Sequence, residues 1–233
     1  MSRMSGTTIL PADEDKPRVV EAMFDRIAPR YDLLNRALTF RMDVRWRRVA
    51  VDALGLPGDA RVIDLACGTG DLCRTLGAAH LRPVGVDFSL GMLRAARTDA
   101  ALVRADALCL PFRTGSFDGL TCGFALRNFA TLPGTFAECA RVLRPGGRLA
   151  LLDVAEPASA TARAVHAAWF RRVVPFVGGL VSDRDAYRYL PASTAYLPSV
   201  PEICDMLGEA GIVQVSRRML GFGAAQLFTG TRA

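Results

Sequence analysis

The sequence predicts an α/β protein built on a doubly wound, mostly parallel sheet of seven strands that ends in an antiparallel hairpin. Short apolar segments alternate with helical segments along most of the 233 residues, which is the pattern of strands joined by crossover helices. A glycine-rich turn at 68–70 follows the first of these segments. The last two apolar segments are separated only by 220–223, which is too short for a crossover and so predicts an antiparallel pair.

The N-terminal quarter of the chain precedes the first predicted strand. Residues 1–15 are predicted to be a disordered tail, because they are polar and small and lack apolar periodicity. Apolar residues then recur at helical spacing through 16–56, which predicts extra helices that form an N-terminal cap. Since no internal repeat is evident, 16–233 is predicted to be a single domain.

The remaining elements follow from hydrophobic periodicity and flanking turn residues. The predicted strands are 61–66, 83–88, 101–106, 117–123, 148–154, 212–219 and 224–230. The predicted helices are 71–79, 90–97, 132–143, 160–174 and 201–211. A Rossmann-like parallel sheet closed by a terminal hairpin distinguishes class I methyltransferases from dehydrogenases, so the order of elements predicts the class I methyltransferase fold.

A ligand of an open α/β sheet lies at the carboxyl ends of the strands, and several of these ends carry acidic residues. A dinucleotide site would need a third glycine, whereas Cys73 stands three residues after Gly70. Acids at the ends of three strands suit a ligand with an ammonium group and a ribose but no phosphate. This predicts S-adenosylmethionine as cofactor and S-adenosylhomocysteine as its product. The predicted binding residues are Asp64, Gly68, Thr69, Gly70, Asp87, Phe88, Asp106, Ala107 and Gly123.

Bulk composition narrows the class of protein. The chain lacks an N-terminal signal pattern and any apolar run long enough to span a bilayer, which predicts a cytoplasmic protein. Six cysteines without a C-x-x-C pair predict reduced, buried thiols, and two histidines argue against a metal site. The net charge of +6 fits an arginine-rich composition in general. It leaves an anionic membrane surface or a nucleic acid as alternative explanations.

Several segments outside the glycine-rich turn resemble the ubiquinone/menaquinone C-methyltransferase family. The segments that carry the resemblance are FDRIAPRYDLLN at 24–35, DVRWR at 43–47, FALRN at 124–128 and YRYLPAS at 187–193. The chain departs from the family pattern at Ala125, where a glycine is usual, and at Phe228, where a histidine is usual. The resemblance extends from about residue 23 to the C-terminus.

The resemblance implies methylation of a ring carbon of a polyprenylated quinol, most simply the conversion of demethylmenaquinol to menaquinol, without a metal. It implies that Arg127 stabilises the phenolate, that Asn128 orients the second oxygen, and that Tyr31 belongs to the catalytic set. The acceptor side would be lined by Tyr187, Tyr189 and Trp169. The aromatic and aliphatic residues and adjacent arginines of 163–177 predict that 160–200 is an insertion that caps the substrate, part of which touches lipid headgroups at the inner face of the cell membrane. An ordinary helix that packs on the sheet is the alternative for this segment.

Three alternatives stay open at this point. Another aromatic or natural-product acceptor would use the same fold, and the sequence does not separate menaquinone from ubiquinone precursors. A nucleic-acid partner is disfavoured, because the arginines are spread along the chain and Lys16 is its one lysine. The sequence does not decide between a monomer and a homodimer.

Overall fold

Seven strands form one sheet in a computed structural model, which describes residues 16–31, 36, 39–155 and 193–233. The strands are β1 (Arg61–Leu65), β2 (Arg82–Asp87), β3 (Ala101–Arg104), β4 (Phe117–Gly123), β5 (Leu143–Val154), β6 (Ile212–Leu220) and β7 (Ala225–Arg232). Their order across the sheet is β3-β2-β1-β4-β5-β7-β6. Neighbours among β1 to β5 pair in parallel, whereas β7 is antiparallel to both β5 and β6. The predicted parallel sheet with a terminal hairpin is therefore confirmed.

Helices cover both faces of this sheet. The described α-helices are α1 (Lys16–Ile27), α2 (Met42–Leu54), α3 (Asp71–Ala78), α4 (Leu90–Ala95), α5 (Leu132–Val142) and α6 (Val200–Glu209). Short 3-10 helices occupy Ala28–Arg30, Leu126–Asn128, Ser193–Tyr196 and Gly221–Gly223. The predicted tail at 1–15, the helix at 160–174 and most of the insertion at 160–200 lie outside the described residues, and the single-domain boundaries stay a prediction.

The core consists of two layers, because successive side chains of a strand point to opposite faces of the sheet. On β1, Ile63 packs with the layer that contains α5 and α6, and Val62 packs with the layer that contains α2 and α3. Phe228 on β7 is 0% exposed within the first layer. The phenylalanine at this position therefore fills the core.

Two expectations need correction. β5 begins at Leu143 instead of residue 148, because Leu143 already pairs with Phe117 ahead of the glycine pair that suggested a turn. The cysteines are free, as expected, but Cys109 is exposed and Cys204 is half-buried. Cys109 follows the end of β3 in a loop, where no layer covers it. No described helix is both long and apolar enough to cross a bilayer.

Candidate active site

A cavity opens at the carboxyl ends of the parallel strands, where the sequence predicts the ligand site. Most of the predicted cofactor-binding and catalytic residues line it. They are Asp64, Gly68, Thr69, Asp87, Phe88, Asp106, Ala107, Gly123, Asn128 and Tyr31. Gly70 and Arg127 do not belong to its wall. The predicted substrate residues Tyr187, Tyr189 and Trp169 lie outside the described residues.

Asp64 forms the floor of the cavity and is 0% exposed. Its carboxylate accepts hydrogen bonds from the Thr121 hydroxyl at 3.0 Å and from the Cys73 thiol at 3.3 Å. Burial raises the pKa of Asp64 to about 7, although the two donors and the Arg47 guanidinium oppose the shift. The Asp64 carboxyl is therefore expected to change charge near neutral pH, at the end of β1 that lines the cavity.

Several residues in the loops that follow β1 and β4, beside the cavity, have left-handed backbone conformations. Gly70 has a φ of +85°, and a Cβ at this position would lie 2.8 Å from the Thr98 Cγ2 atom, so only glycine fits. Ala66 and Phe124 also have positive φ values, 54° and 61°, and both line the cavity. Left-handed backbone at non-glycine residues is costly and concentrates at binding sites.

Asp87 at the end of β2 ties two loops of the cavity together. Its carboxylate accepts the backbone N–H of Gly68 at 2.7 Å and that of Ser89 at 2.8 Å. Burial raises the pKa of Asp87, and these backbone donors partly offset the shift. The Phe88 backbone N–H is a third donor to this carboxylate. A carboxylate has about four acceptor sites, so roughly one remains for a ligand.

The loops after β2 and β3 supply a flat ring, Phe88, and an exposed acid, Asp106, at the rim of the cavity. Asp106 accepts the backbone N–H of Leu108 at 2.9 Å, which fixes the carboxylate beside Ala107. The Phe88 ring is 40% exposed, and the Arg104 guanidinium lies 6.0 Å from its centroid. This rim offers an aromatic face and a hydrogen-bond acceptor to a planar heterocycle.

Helix α1 forms the wall opposite the strands, with Phe24 and, just after the helix, Tyr31 facing the cavity. The two rings meet edge to face at a centroid distance of 5.8 Å. Asp25 anchors the helix, because its Oδ1 atom accepts the Ser89 hydroxyl at 2.5 Å and the Gly91 N–H at 2.9 Å. The N-terminal helices are therefore part of the site.

Asp25→Ala is expected to lower the affinity for S-adenosylmethionine about tenfold, because it removes two hydrogen bonds that hold the α1 wall in place. Titration calorimetry measures the effect. Asp52→Ala, on the exposed side of α2, serves as the control that removes an aspartate elsewhere. Equal affinities for the two variants would contradict the role of Asp25.

Arg127 lies beside the cavity but points its guanidinium away from it. The side chain is 6% exposed and pairs with Asp153 at 2.5 Å, while its Nε donates to the Ser193 hydroxyl at 3.0 Å. Asp153 also accepts the Leu126 N–H at 2.9 Å. This placement differs from the expected contact with a phenolate, because the fully buried Asp153 carboxylate takes the nearest cation. Arg127 fixes the short helix that carries Asn128 to the cavity wall.

The sequence-based prediction missed an ionic cluster at the start of α3. Asp71 lines the cavity and lies 3.5 Å from Arg47 and 3.4 Å from Arg36, and it also pairs with Arg74. The Arg47 guanidinium lies 5.5 Å from the Phe124 ring centroid. The signal available in the sequence was the DVRWR segment. The structure shows that its Arg47 is buried, unlike an ordinary surface arginine.

Comparison with known proteins places the chain among methyltransferases. The family model described as the ubiE/COQ5 methyltransferase family matches residues 11–232. A demethylmenaquinone methyltransferase from Thermus thermophilus is 44% identical over 220 residues, which cover 90% of this chain and 100% of the relative. A ubiquinone/menaquinone biosynthesis C-methyltransferase from Syntrophotalea carbinolica is 39% identical over 232 residues, with 96% of each chain covered.

Solved structures agree on the fold. A SAM-dependent methyltransferase from Thermotoga maritima superposes with a TM-score of 0.66 at 20% sequence identity, covering 91% of this chain and 99% of the other. Similarity at this level of identity bears on the fold alone. It confirms the class I methyltransferase architecture around the cavity.

Proposed function

The chain belongs to the ubiE/COQ5 methyltransferase family, and on this premise we propose that it transfers the methyl group of S-adenosylmethionine to a ring carbon of a polyprenylated quinol. The observation that carries the proposal is the cavity, which is lined by Asp64 on β1, Asp87 on β2 and Asp106 in the loop after β3. The name of the Thermus relative favours demethylmenaquinol as the acceptor. The name of the Syntrophotalea relative keeps a ubiquinone precursor as the alternative.

The residues of the cavity fit S-adenosylmethionine. The ionised Asp64 carboxylate would attract the ammonium group, and the remaining acceptor capacity of Asp87 would serve the ribose hydroxyls. Phe88, Asp106 and Ala107 would hold the adenine ring. When bound, S-adenosylmethionine supplies an electrophilic methyl group on a sulfonium.

The chain's own residues would then orient the acceptor. A quinol carbon becomes nucleophilic when the neighbouring hydroxyl loses its proton, and it must lie about 3–3.5 Å from the methyl carbon in line with the sulfur. Asn128 lines the cavity and is proposed to donate to a quinol oxygen, and Tyr31 is proposed to close the opposite wall. Arg127 is proposed to hold Asn128 in position. The carbon nucleophile needs no metal to attack a sulfonium, so the proposal includes none.

The finer partner assignments belong to the same proposal. A polyprenyl tail is insoluble in water, so we expect the protein to work at the inner face of the cell membrane as a peripheral protein. The predicted capping insertion at 160–200, with Tyr187, Tyr189 and Trp169, would line the path of the tail. A homodimer stays an open alternative to a monomer.

Mass spectrometry with an isotopically labelled methyl donor tests the proposal. We expect label in the product from demethylmenaquinol and little or none from the ubiquinone counterpart, offered at equal concentration. The variant Cys109→Ser, which changes the exposed cysteine, controls for handling of the protein, and a reaction without enzyme controls for chemical methylation. If neither quinol is labelled while S-adenosylmethionine binds, the acceptor assignment is wrong and another aromatic acceptor replaces it.

A further inference from the structure

The connection between β6 and β7 contains a phenylalanine whose side chain does not pack in the core. Phe222 is 98% exposed, and its φ of 56° places a bulky residue in left-handed backbone between two glycines. Both features are unfavourable, because the apolar ring lies in water and the backbone conformation is strained. A polar residue or glycine would make the same turn at lower cost, so folding does not explain the side chain.

This turn lies at the end of the sheet where the parallel strands have their carboxyl termini and where the cavity opens. Ala225, just after the turn, pairs with Val154 at the carboxyl end of β5. Gly221 packs against the Trp46 ring of α2 so closely that a Cβ there would collide with it. Helix α2 therefore begins at the same end, and Phe40, which precedes it, is 65% exposed.

The elements next to the two phenylalanines also carry exposed arginines. Arg41, Arg45 and Arg48 are exposed along the first two turns of α2, and Arg218 is exposed near the end of β6. Within the described part of the chain, none of the four forms an ion pair with a carboxylate. A helix N-terminus favours negative charge, so Arg41 at the N-cap does not stabilise the helix. The positive charge at this end is available to an anionic partner.

We propose that this end of the sheet docks on an anionic lipid bilayer, with the Phe222 ring inserted among the acyl chains and the arginines in contact with the headgroups. A short turn that exposes one ring, on an end of the sheet that also carries exposed arginines, suits insertion into a soft interface, whereas a protein partner would need a wider complementary face. Docking at this end turns the cavity mouth toward the membrane that dissolves a polyprenyl tail. This inference rests on the proposed quinol acceptor for its purpose, but the binding itself does not require it.

Cosedimentation with vesicles tests the proposal. We expect the wild-type chain to bind vesicles of phosphatidylglycerol mixed equally with phosphatidylcholine more tightly than vesicles of phosphatidylcholine alone. Phe222→Ser should weaken binding about tenfold, and Arg45→Glu should weaken it at least about fivefold. The matched controls, Val213→Ser and Arg113→Glu, change an exposed apolar residue and an exposed arginine near the opposite end of the sheet. They should leave binding unchanged.

Methylation assays separate this inference from the proposed function. Phe222→Ser should retain wild-type turnover of a short-tailed, water-soluble demethyl quinol and lose turnover of a long-tailed quinol embedded in the vesicles. Unchanged vesicle affinity for both Phe222→Ser and Arg45→Glu would overturn the docking surface even if methylation is intact. Absence of methylation with intact, Phe222-dependent vesicle binding would instead refute the acceptor assignment.

Discussion

Arg127→Ala is expected to lower the free energy of unfolding by about 3–5 kcal/mol, because it removes the cation that pairs with the fully buried Asp153 carboxylate among the described residues. Asp153 is 0% exposed, and its other donors in the described part of the chain are the backbone N–H groups of Leu126 and Val154. Neutral amide donors do not replace a guanidinium at 2.5 Å. Denaturant unfolding monitored by far-UV circular dichroism measures the loss.

Three further variants separate the parts of this cluster. Ser193→Ala removes the hydrogen bond from the Arg127 Nε atom and should cost about 1 kcal/mol for that bond. Asp153→Asn keeps the shape but leaves the arginine unpaired, so it should approach the cost of Arg127→Ala. Arg127→Lys retains the charge and should fall between these values, since an ammonium does not reach both partners with the same geometry.

The variant Arg127→Ala also tests the direct catalytic role that the resemblance implies for Arg127. A phenolate partner predicts normal stability, unchanged affinity for S-adenosylmethionine and a kcat lower by ~10². A positioning role predicts a loss of stability and a displaced Asn128. The loss of kcat should then be partly rescued by Arg127→Lys.

The topology could be predicted from the sequence because its signals are local. The alternation of apolar runs with helical segments requires parallel strands, and the connection at 220–223 leaves no room for a crossover. Asp64 and Asp87 lie at the carboxyl ends of β1 and β2, and Asp106 follows the end of β3 by two residues, so the topology alone brings the three acids to one end of the sheet. Local pattern and fold-level rule agree at each of these positions.

The contacts that escaped prediction join residues far apart in the chain. Arg127 meets Asp153 and Ser193, which are 26 and 66 residues away. Asp25 meets Ser89 across 64 residues. A charged side chain carries the same local signal whether it ends in solvent or in a buried pair, so periodicity does not distinguish the two. The resemblance identified the DVRWR and FALRN segments, and only the packing shows what their arginines contact.

The affinity for S-adenosylmethionine is expected to depend on pH through Asp64. Burial raises the pKa of this carboxyl to about 7, and an ammonium group requires the ionised form. Below that pH the carboxyl must lose a proton when the cofactor binds, so the association constant should fall about tenfold per pH unit. The α-amino group of the cofactor loses its charge above ~8. Titration calorimetry should therefore show an affinity maximum between about 7 and ~8.

Asp64→Asn provides the control, because the amide still accepts the Thr121 hydroxyl but does not titrate. Its affinity should be lower, and the decline below about 7 should disappear. The ligand-free protein responds with the opposite sign. A carboxyl whose folded pKa is raised stabilises the fold most below its ordinary value of 3.8, and this contribution is lost as the pH rises to about 7. The melting temperature of the wild type should fall across that interval more than that of Asp64→Asn, and identical slopes would show that Asp64 is ionised throughout.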